Sequence, residues 1–184
     1  MKCKSCQKEA SVTQFKNMGP LCTGCFCELI EKRVRRELRI NNPLKPQSKI
    51  AVIDNGSKES FVALLFLRNL AKDMPLTIEP QKPPFDAKQW DIIVIPWDGD
   101  DDAEQTLRGI FDGRNIEMSG FKLLTCVSDA EVRIVAEANG WQGQDNSYQS
   151  EYGKFLAETE KKYPGTIFSL VRSAKEVRSL ETVK

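Results

Sequence analysis

The sequence predicts an α/β protein in which a parallel sheet is flanked by helices and carries a small four-cysteine knuckle near its N-terminus. Short β-branched apolar runs alternate with segments of helical periodicity over most of the chain. Strands that alternate with helices are typical of a parallel sheet covered on both faces. Two CxxC pairs within the first 25 residues have the spacing of a metal-binding knuckle.

Residues 1–27 are predicted to form this knuckle. A CxxC turn lets two thiolates converge on one ion, and two such turns complete a tetrahedral shell with no open position. The pattern therefore predicts a structural Zn²⁺, with an iron–sulphur centre as the alternative that cysteine ligation alone leaves open. Cys27 is an additional candidate, which its position assigns to the following helix. The four predicted ligands are Cys3, Cys6, Cys22 and Cys25.

Residues 28–48 are predicted to be a basic helix and a linker. Apolar residues recur at spacings of three and four from residue 23 to 39, which predicts one helix, and the Asn- and Pro-rich stretch at 41–48 ends it. Residues 1–49 carry eleven Lys and Arg against four Asp and Glu, whereas the remainder carries sixteen against twenty-two. A basic head favours an anionic partner, with a solvated helix face as the alternative. The candidate nucleic-acid contacts are Lys32, Arg33, Arg35, Arg36 and Arg39.

Residues 49–184 are predicted to form the α/β domain. The motif Ser128-Asp129-Ala130-Glu131 has the form of a capping box that opens a helix. Cys126 lies in a predicted strand, and we expect it to be a small buried side chain without a functional role. Three acids at 100–102 fit the first turn of a helix better than a magnesium site. Strands are predicted at 49–53, 76–78, 91–95 and 122–127, helices at 59–70, 101–111, 128–138 and 149–162, and a proline-broken loop at 80–84.

A glycine-containing loop follows the first predicted strand, where many α/β proteins hold phosphate on backbone N–H groups and a helix N-terminus. Asp54 and Glu59 place negative charge in the same loop, so an ordinary strand-to-helix turn is the alternative. The residues suited to a phosphate are Gly56, Ser57, Lys58 and Ser60.

Composition narrows the remaining function classes. The chain of 184 residues contains no histidine, which removes the commonest general base near neutral pH. No apolar run approaches the length needed to cross a bilayer, and no signal-peptide pattern follows Met1. These features predict a cytoplasmic protein without a membrane partner, and six cysteines in that setting indicate metal ligands or buried thiols rather than disulfides.

Taken together, the motifs resemble the PP-loop ATP pyrophosphatases, a Rossmann-like family, in the branch that makes 2-thiouridine in tRNA. Asn55-Gly56-Ser57-Lys58-Glu59-Ser60 is similar to the S-G-G-x-D-S signature of that family. The segment from Asp98 to Thr106 looks like its G-H-x-x-D-D-x-A-x-T motif, and the capping-box helix with Asn139-Gly140 is similar to its next helix. Residues 155–166, which end in Pro164-Gly165-Thr166, resemble its C-terminal helix.

The sequence also departs from the family pattern. Asn55, Ser57 and Glu59 replace the first serine, the second glycine and the aspartate of the signature. Catalytic members use cysteines in a C-P-Y segment and in a central C-x-x-C. Here residues 146–148 read Asn-Ser-Tyr, residues 79–90 contain no cysteine, and Cys126 matches neither position. The resemblance thus implies a degenerate domain with a vestigial nucleotide loop.

Three functions follow as alternatives. The resemblance implies a non-catalytic accessory subunit in tRNA wobble-uridine 2-thiolation that binds tRNA and a catalytic PP-loop homologue, with a ubiquitin-like sulphur carrier as a further implied partner. The second is an active enzyme that binds ATP at the Gly56 loop and adenylates tRNA, so binding of ATP is the observation that separates it from the first. The third is a zinc-containing scaffold with no affinity for RNA.

Overall fold

The computed structural model describes residues 1–15, 18–41, 43–113, 120–143 and 150–181. They form a four-stranded parallel sheet flanked by helices, which confirms the predicted fold class. The strands are β1 (Lys49–Ile53), β2 (Thr77–Gln81), β3 (Ile92–Asp98) and β4 (Phe121–Leu124). The helices are α1 (Thr23–Asn41), α2 (Lys58–Ala71), α3 (Gly99–Asp112), α4 (Asp129–Ala138), α5 (Glu151–Lys162) and α6 (Thr166–Glu181).

The sheet has the strand order β2-β1-β3-β4. The chain therefore moves from β1 to one edge at β2, and then returns past β1 to build β3 and β4 in the opposite direction. Because such connections are right-handed, the crossover helices α2 and α3 lie on opposite faces. The change of direction opens a crevice at the carboxyl ends of β1 and β3, which is where doubly wound sheets bind ligands.

One hydrophobic core joins the knuckle to the α/β domain. Helix α1 buries Phe26, Ile30, Val34 and Leu38 and packs on α4. These side chains belong to the same cluster as Ile50 and Val52 of β1 and as Cys3, Val12 and Leu21 of the knuckle. The three predicted segments 1–27, 28–48 and 49–184 thus share one core, and their boundaries stay a prediction. A second cluster joins α3, α5 and α6 through Ala103, Leu107, Leu156, Ile167 and Val171.

Two strand predictions were wrong. The segment expected to be a proline-broken loop starts as strand, because β2 continues through Pro80 and Gln81. This strand lies at the edge of the sheet, where the missing N–H of a proline does not interrupt the ladder. Strand β4 stops at Leu124, so Cys126 lies in the turn that follows and is only half-buried.

Helix α6 was not predicted from the sequence. Its signal was present, because Ile167, Leu170, Val171 and Ala174 recur at the spacing of one helix face. The expected capping box is confirmed: Ser128 Oγ accepts from the Glu131 N–H, and the Glu131 carboxylate accepts from the Ser128 N–H. Among the helices of the described segments, none combines the length and apolar character that crossing a membrane requires.

Candidate functional site

The knuckle is built from two short β-bridges that present the two CxxC pairs to each other. Lys2 bridges Glu9 and Val12 bridges Leu21, both in antiparallel fashion. Within the first pair, the Cys3 N–H donates to the carbonyl of Lys8 at 2.8 Å. The second pair lies at the start of α1, where the helix N-terminus favours negative charge on a cysteine.

The four predicted ligands converge in space. The sulphur atoms of Cys3, Cys6, Cys22 and Cys25 all lie within 4.8 Å of one another, and those of Cys6 and Cys22 are 3.5 Å apart. A tetrahedral ion with Zn–S bonds of about 2.3 Å requires S···S distances of about 3.8 Å. The donor set therefore fits one tetrahedral metal ion, and this four-cysteine site can hold a metal.

The thiols of the four-cysteine site perturb one another's ionisation. Burial would raise the pKa of Cys3, but backbone hydrogen bonds, that of Cys22 first among them, bring it down to about 6. A hydrogen bond from Ser5 favours the Cys25 thiolate, yet the surrounding thiols outweigh it and raise the Cys25 pKa to about 12. Four thiolates so close together would need a cation between them, which a metal ion could supply.

The Gly56 loop, residues 54–57, connects β1 to α2 at the crevice. Two of its backbone N–H groups already have acceptors: Gly56 donates to Asp54 Oδ1 at 3.0 Å, and Ser57 donates to Asn55 Oδ1 at 3.1 Å. The Ser60 hydroxyl lies 2.9 Å from the Ser57 carbonyl and 3.2 Å from Asp54 Oδ1, and it can donate to either acceptor. A carboxylate of the chain itself thus occupies the anion position that these donors create. Gly56 has φ +77°, a backbone conformation that favours glycine.

A buried carboxylate cluster follows the Gly56 loop where the N-termini of α2, α3 and α4 meet. Its cation is Lys58, which is 4% exposed. The Lys58 Nζ lies 2.8 Å from Glu59 Oε1 and 2.6 Å from Asp129 Oδ1. The Asp129 backbone N–H donates to Asp100 Oδ2 at 2.8 Å, which ties α4 to α3. The cluster comprises Lys58, Glu59, Asp98, Asp100 and Asp129.

Asp98 is the most buried acid of the carboxylate cluster, at 1% exposure. It is the N-cap of α3 and accepts the Asp101 N–H at 2.9 Å, while Asp101 Oδ2 accepts the Asp98 N–H at 3.2 Å. Burial raises the pKa of Asp98 well above its usual value, and the charges of Asp101 and Asp100 raise it further. The sequence singled out the acids at 100–102 but not Asp98, although its place at the end of a buried strand was the available signal.

The five basic residues of α1 divide into two groups. Arg33 lies 2.8 Å from Glu131 in an ion pair with a carboxylate that is 3% exposed, and Arg35 pairs with Glu31 and Asp73. Lys32, Arg36 and Arg39 are exposed. These three form the basic stripe, because spacings of four and three put them on one side of the helix.

The remaining candidates lie apart from these sites. Cys27 lies on α1, as its position suggested, and burial raises the pKa of its thiol. Burial likewise raises the pKa of Cys126 to about 12, which leaves a weakly reactive thiol. Residues 146–148, the counterpart of the C-P-Y segment, lie outside the described residues.

Comparison with known proteins identifies a structural likeness only. No family model matches the chain, and no curated protein matches it. Among solved structures, the fold is similar to that of the U34-tRNA thiolase NcsA from Methanococcus maripaludis, determined with its [4Fe-4S] cluster. The TM-score is 0.76 at 17% sequence identity, over 96% of this chain and 87% of that one. At this identity the likeness establishes the fold.

Proposed function

We propose that the protein is a non-catalytic accessory subunit in tRNA wobble-uridine 2-thiolation, which binds tRNA and a catalytic PP-loop homologue in the cytoplasm. The fold it shares with a U34-tRNA thiolase supports the pathway. The observation that carries the non-catalytic role is the Gly56 loop, in which the N–H groups of Gly56 and Ser57 already donate to side chains of the loop itself.

The argument against nucleotide binding rests on charge and on hydrogen bonds. A phosphate at the loop would have to displace Asp54 from the Gly56 N–H and from the Ser60 hydroxyl. Lys58, the one predicted phosphate ligand with a positive charge, is held by Glu59 and Asp129. Withdrawing the buried ammonium leaves Glu59 without a cation among the described residues and Asp129 with Arg133 alone, 3.1 Å away, which costs several kcal/mol. The loop therefore stabilises the fold without holding a polyphosphate.

One observation favours the alternative of an active enzyme. A cavity of about 370 Å³ borders the Gly56 loop, lined by Asp54, Asn55, Gly56, Lys82 and Pro83. Its volume falls within the range of small-molecule sites. If ATP enters this cavity, Lys82 is the cation available to its phosphates.

Titration with Mg-ATP separates the two roles. We expect isothermal titration calorimetry of the full chain to detect no saturable binding up to millimolar nucleotide. The matched comparison is Lys82→Ala, which should give the same flat titration. Saturable binding by the wild-type chain that Lys82→Ala abolishes would contradict the non-catalytic role and support the enzyme.

We assign Zn²⁺ to the four-cysteine site. Sulphur atoms within 4.8 Å of one another suit a single ion. In a [4Fe-4S] cluster each cysteine binds a different iron, so the cysteine sulphurs stand farther apart. The structural neighbour carries such a cluster, which makes iron the competing assignment.

The basic stripe is the part of α1 that we assign to tRNA. Arg33 and Arg35 are engaged within the chain, whereas Lys32, Arg36 and Arg39 face solvent. The Glu28 partner of Lys32 is 4.0 Å away and exposed, so that pair contributes little. Contacts of this kind neutralise phosphates and depend on salt rather than on base sequence.

Charge reversal in the stripe tests tRNA binding. We expect Arg36→Glu to weaken the binding of unmodified tRNA severalfold at 50 mM salt, measured by fluorescence anisotropy, with a smaller loss at 200 mM. Arg172→Glu is the matched control, because Arg172 is also an exposed helix arginine, at 83% exposure. If the two variants bind tRNA with equal affinity, the basic stripe is only a solvated helix face. If the wild-type chain does not bind tRNA at all, the alternative of a zinc-containing scaffold is favoured.

The non-catalytic role requires the catalytic homologue as a partner, and the family resemblance adds a ubiquitin-like sulphur carrier as a further candidate partner. Affinity purification from the native cell, with mass spectrometry of protein and RNA, should recover the homologue together with tRNA. Recovery of neither would contradict the accessory role even if tRNA binds in isolation.

A further inference from the structure

Helix α5 lies on the outside of the molecule. It packs on α3 and α6 and contributes Leu156 to the second core cluster. The side of α5 turned away from this cluster faces solvent, and four exposed residues follow one another along it at spacings of four and three. We call this line of side chains the α5 face; its members are Glu151, Phe155, Glu158 and Lys162.

Exposed aromatic side chains gather on and beside the α5 face. Phe155, at its middle, is 56% exposed, and Tyr163, which directly follows the helix, is 59% exposed. Phe111 at the end of α3 is 69% exposed and stacks on Tyr152 of α5, with ring centroids 6.2 Å apart. Aromatic residues are enriched in protein interfaces, and a group of them in contact with solvent marks an interaction surface.

The charged residues of the α5 face lack the ion pairs that the other helices form. Helices α1, α3, α4 and α6 each carry an ion pair between residues four apart. Glu158 and Lys162 have the same spacing, yet within the described part of the chain neither these two nor Glu151 takes part in an ion pair. The Lys162 Nζ lies 5.3 Å from the centroid of the Tyr163 ring. The charges of the α5 face are therefore available to a partner.

The order of these charges is complementary to a second copy of the same face. Glu151 is the first residue of α5 and Lys162 is the last. In an antiparallel pair of α5 helices related by a two-fold axis, Glu151 of each chain faces Lys162 of its copy, so one register satisfies both ends. The same register brings the two Phe155 side chains together near the axis. It also places opposite ends of the two helix dipoles side by side.

From this arrangement we infer that the α5 face is a dimer interface, in which α5 packs antiparallel on α5 of a second copy of this chain. The inference goes beyond the proposed function, because it concerns contact between identical chains. The 12 residues of α5 form a strip about 18 Å long and 10 Å wide, well below the roughly 800 Å² per partner of a standard interface. The dimer is therefore weak and dissociates on dilution.

This dimer leaves the basic stripe of both copies uncovered. Helix α1 packs on α4, which packs on α2, whereas α5 packs on α3 and α6. Because α2 and α3 cover opposite faces of the sheet, the stripe and the α5 face lie on opposite sides of the chain. Substitutions in the α5 face should therefore leave the tRNA affinity of each chain unchanged.

An exchange of charges tests the inference on the full chain. We expect sedimentation velocity of the wild-type protein to show a monomer at low concentration and a dimer as the concentration approaches the millimolar range. Glu151→Lys and Lys162→Glu should each weaken the dimer roughly tenfold or more, because the two-fold axis repeats the like-charge contact at both ends. An equimolar mixture of the two variants should regain the dimer, because the two reversed charges then face each other. Both variants also oppose the helix dipole, but mixing does not relieve that effect.

The aromatic part of the α5 face has a matched control. Phe155→Ala should weaken the dimer roughly 5- to 30-fold, as expected for a buried aromatic side chain of an interface. Phe168→Ala should leave it unchanged, because Phe168 is an exposed aromatic residue of α6 outside the α5 face.

Three outcomes would overturn the second copy as the occupant. The first is a wild-type chain that stays monomeric up to millimolar concentration. The second is a mixture of the charge variants that associates no better than either variant alone. The third is a monomeric wild-type chain whose Phe155→Ala variant no longer recovers the catalytic homologue in affinity purification, since the α5 face would then belong to that homologue. The tRNA titration is a separate measurement, so failure of the dimer leaves the proposed function standing.

Discussion

The four-cysteine site and the Gly56 loop with its carboxylate cluster differ in how their polar groups are satisfied. The four-cysteine site gathers four groups of one chemical kind, whose thiolates repel one another. The Gly56 loop and the cluster gather groups of opposite kinds, in which N–H donors meet Asp54 and Asn55 and the Lys58 ammonium meets two carboxylates. The first site therefore suits an ion from outside, whereas the Gly56 loop and Lys58 find partners within the chain.

Loss of one cysteine should have the largest effect, because it removes a ligand of the metal ion that we assign to the four-cysteine site. We expect Cys22→Ser to abolish stoichiometric metal and to lower the stability of the chain by several kcal/mol, since the knuckle residues Cys3, Val12 and Leu21 belong to the main core. Elemental analysis of the purified protein gives the metal content, and thermal unfolding gives the stability.

Cys126→Ser is the matched control, because Cys126 lies in the turn after β4 and outside the four-cysteine site. It should keep full metal content. Zinc in the wild-type chain and its absence from Cys22→Ser would support the assignment. Iron with the visible absorption of an iron–sulphur cluster would contradict it, and unchanged zinc in Cys22→Ser would refute the ligand set.

Removal of Lys58, the buried lysine of the carboxylate cluster, should have the next largest effect on stability. Lys58→Met leaves Glu59 and Asp129 without their ammonium partner in a buried place, which should cost about 3–5 kcal/mol in urea unfolding. The double variant Lys58→Met with Glu59→Gln should recover part of that loss, because the Glu59 charge is gone and Asp129 still pairs with Arg133 at 3.1 Å. Lys154→Met, at an exposed position of α5, should change stability by less than about 0.5 kcal/mol. If Lys58→Met unfolds at the same urea concentration as the wild-type chain, Lys58 does not stabilise the carboxylate cluster.

The same comparison explains what the sequence could and could not predict. The four-cysteine site depends on two local CxxC turns, so spacing alone predicted which four cysteines converge in the structure. The carboxylate cluster depends on Lys58 of α2 meeting Asp129 of α4, and no local pattern encodes that contact. Lys58 was predicted to bind phosphate because of its positive charge. In the structure it pairs with Glu59 and Asp129 instead.

The basic residues of α1 give the same lesson on one helix. Periodicity identified the buried face correctly, because Phe26, Ile30, Val34 and Leu38 repeat at helical spacing. It could not separate Arg33 from the exposed arginines, since the partner Glu131 lies 98 residues further along the chain. The strand alternation predicted the fold class, but Pro80 in β2 was misread because edge and central strands look alike in sequence.

The smallest expected effect concerns Asp98 of the carboxylate cluster, whose charge lowers the stability of the fold by an amount that depends on pH. Because its pKa is raised in the folded chain, the unfolded chain loses this proton first, and the stability of the wild-type protein falls as pH rises above about 4 towards the folded pKa. Asp98→Asn keeps an N-cap acceptor for the Asp101 N–H and removes the titration. We therefore expect the stability of the variant in urea unfolding to match that of the wild-type chain near pH 4 and to exceed it at pH 7.

Asp86→Asn, which changes an exposed N-cap, should show no such pH-dependent difference in stability. A variant that is less stable at pH 7 would mean that the Asp98 charge is favourable where it lies, and the second site would then have capacity for a cation beyond Lys58.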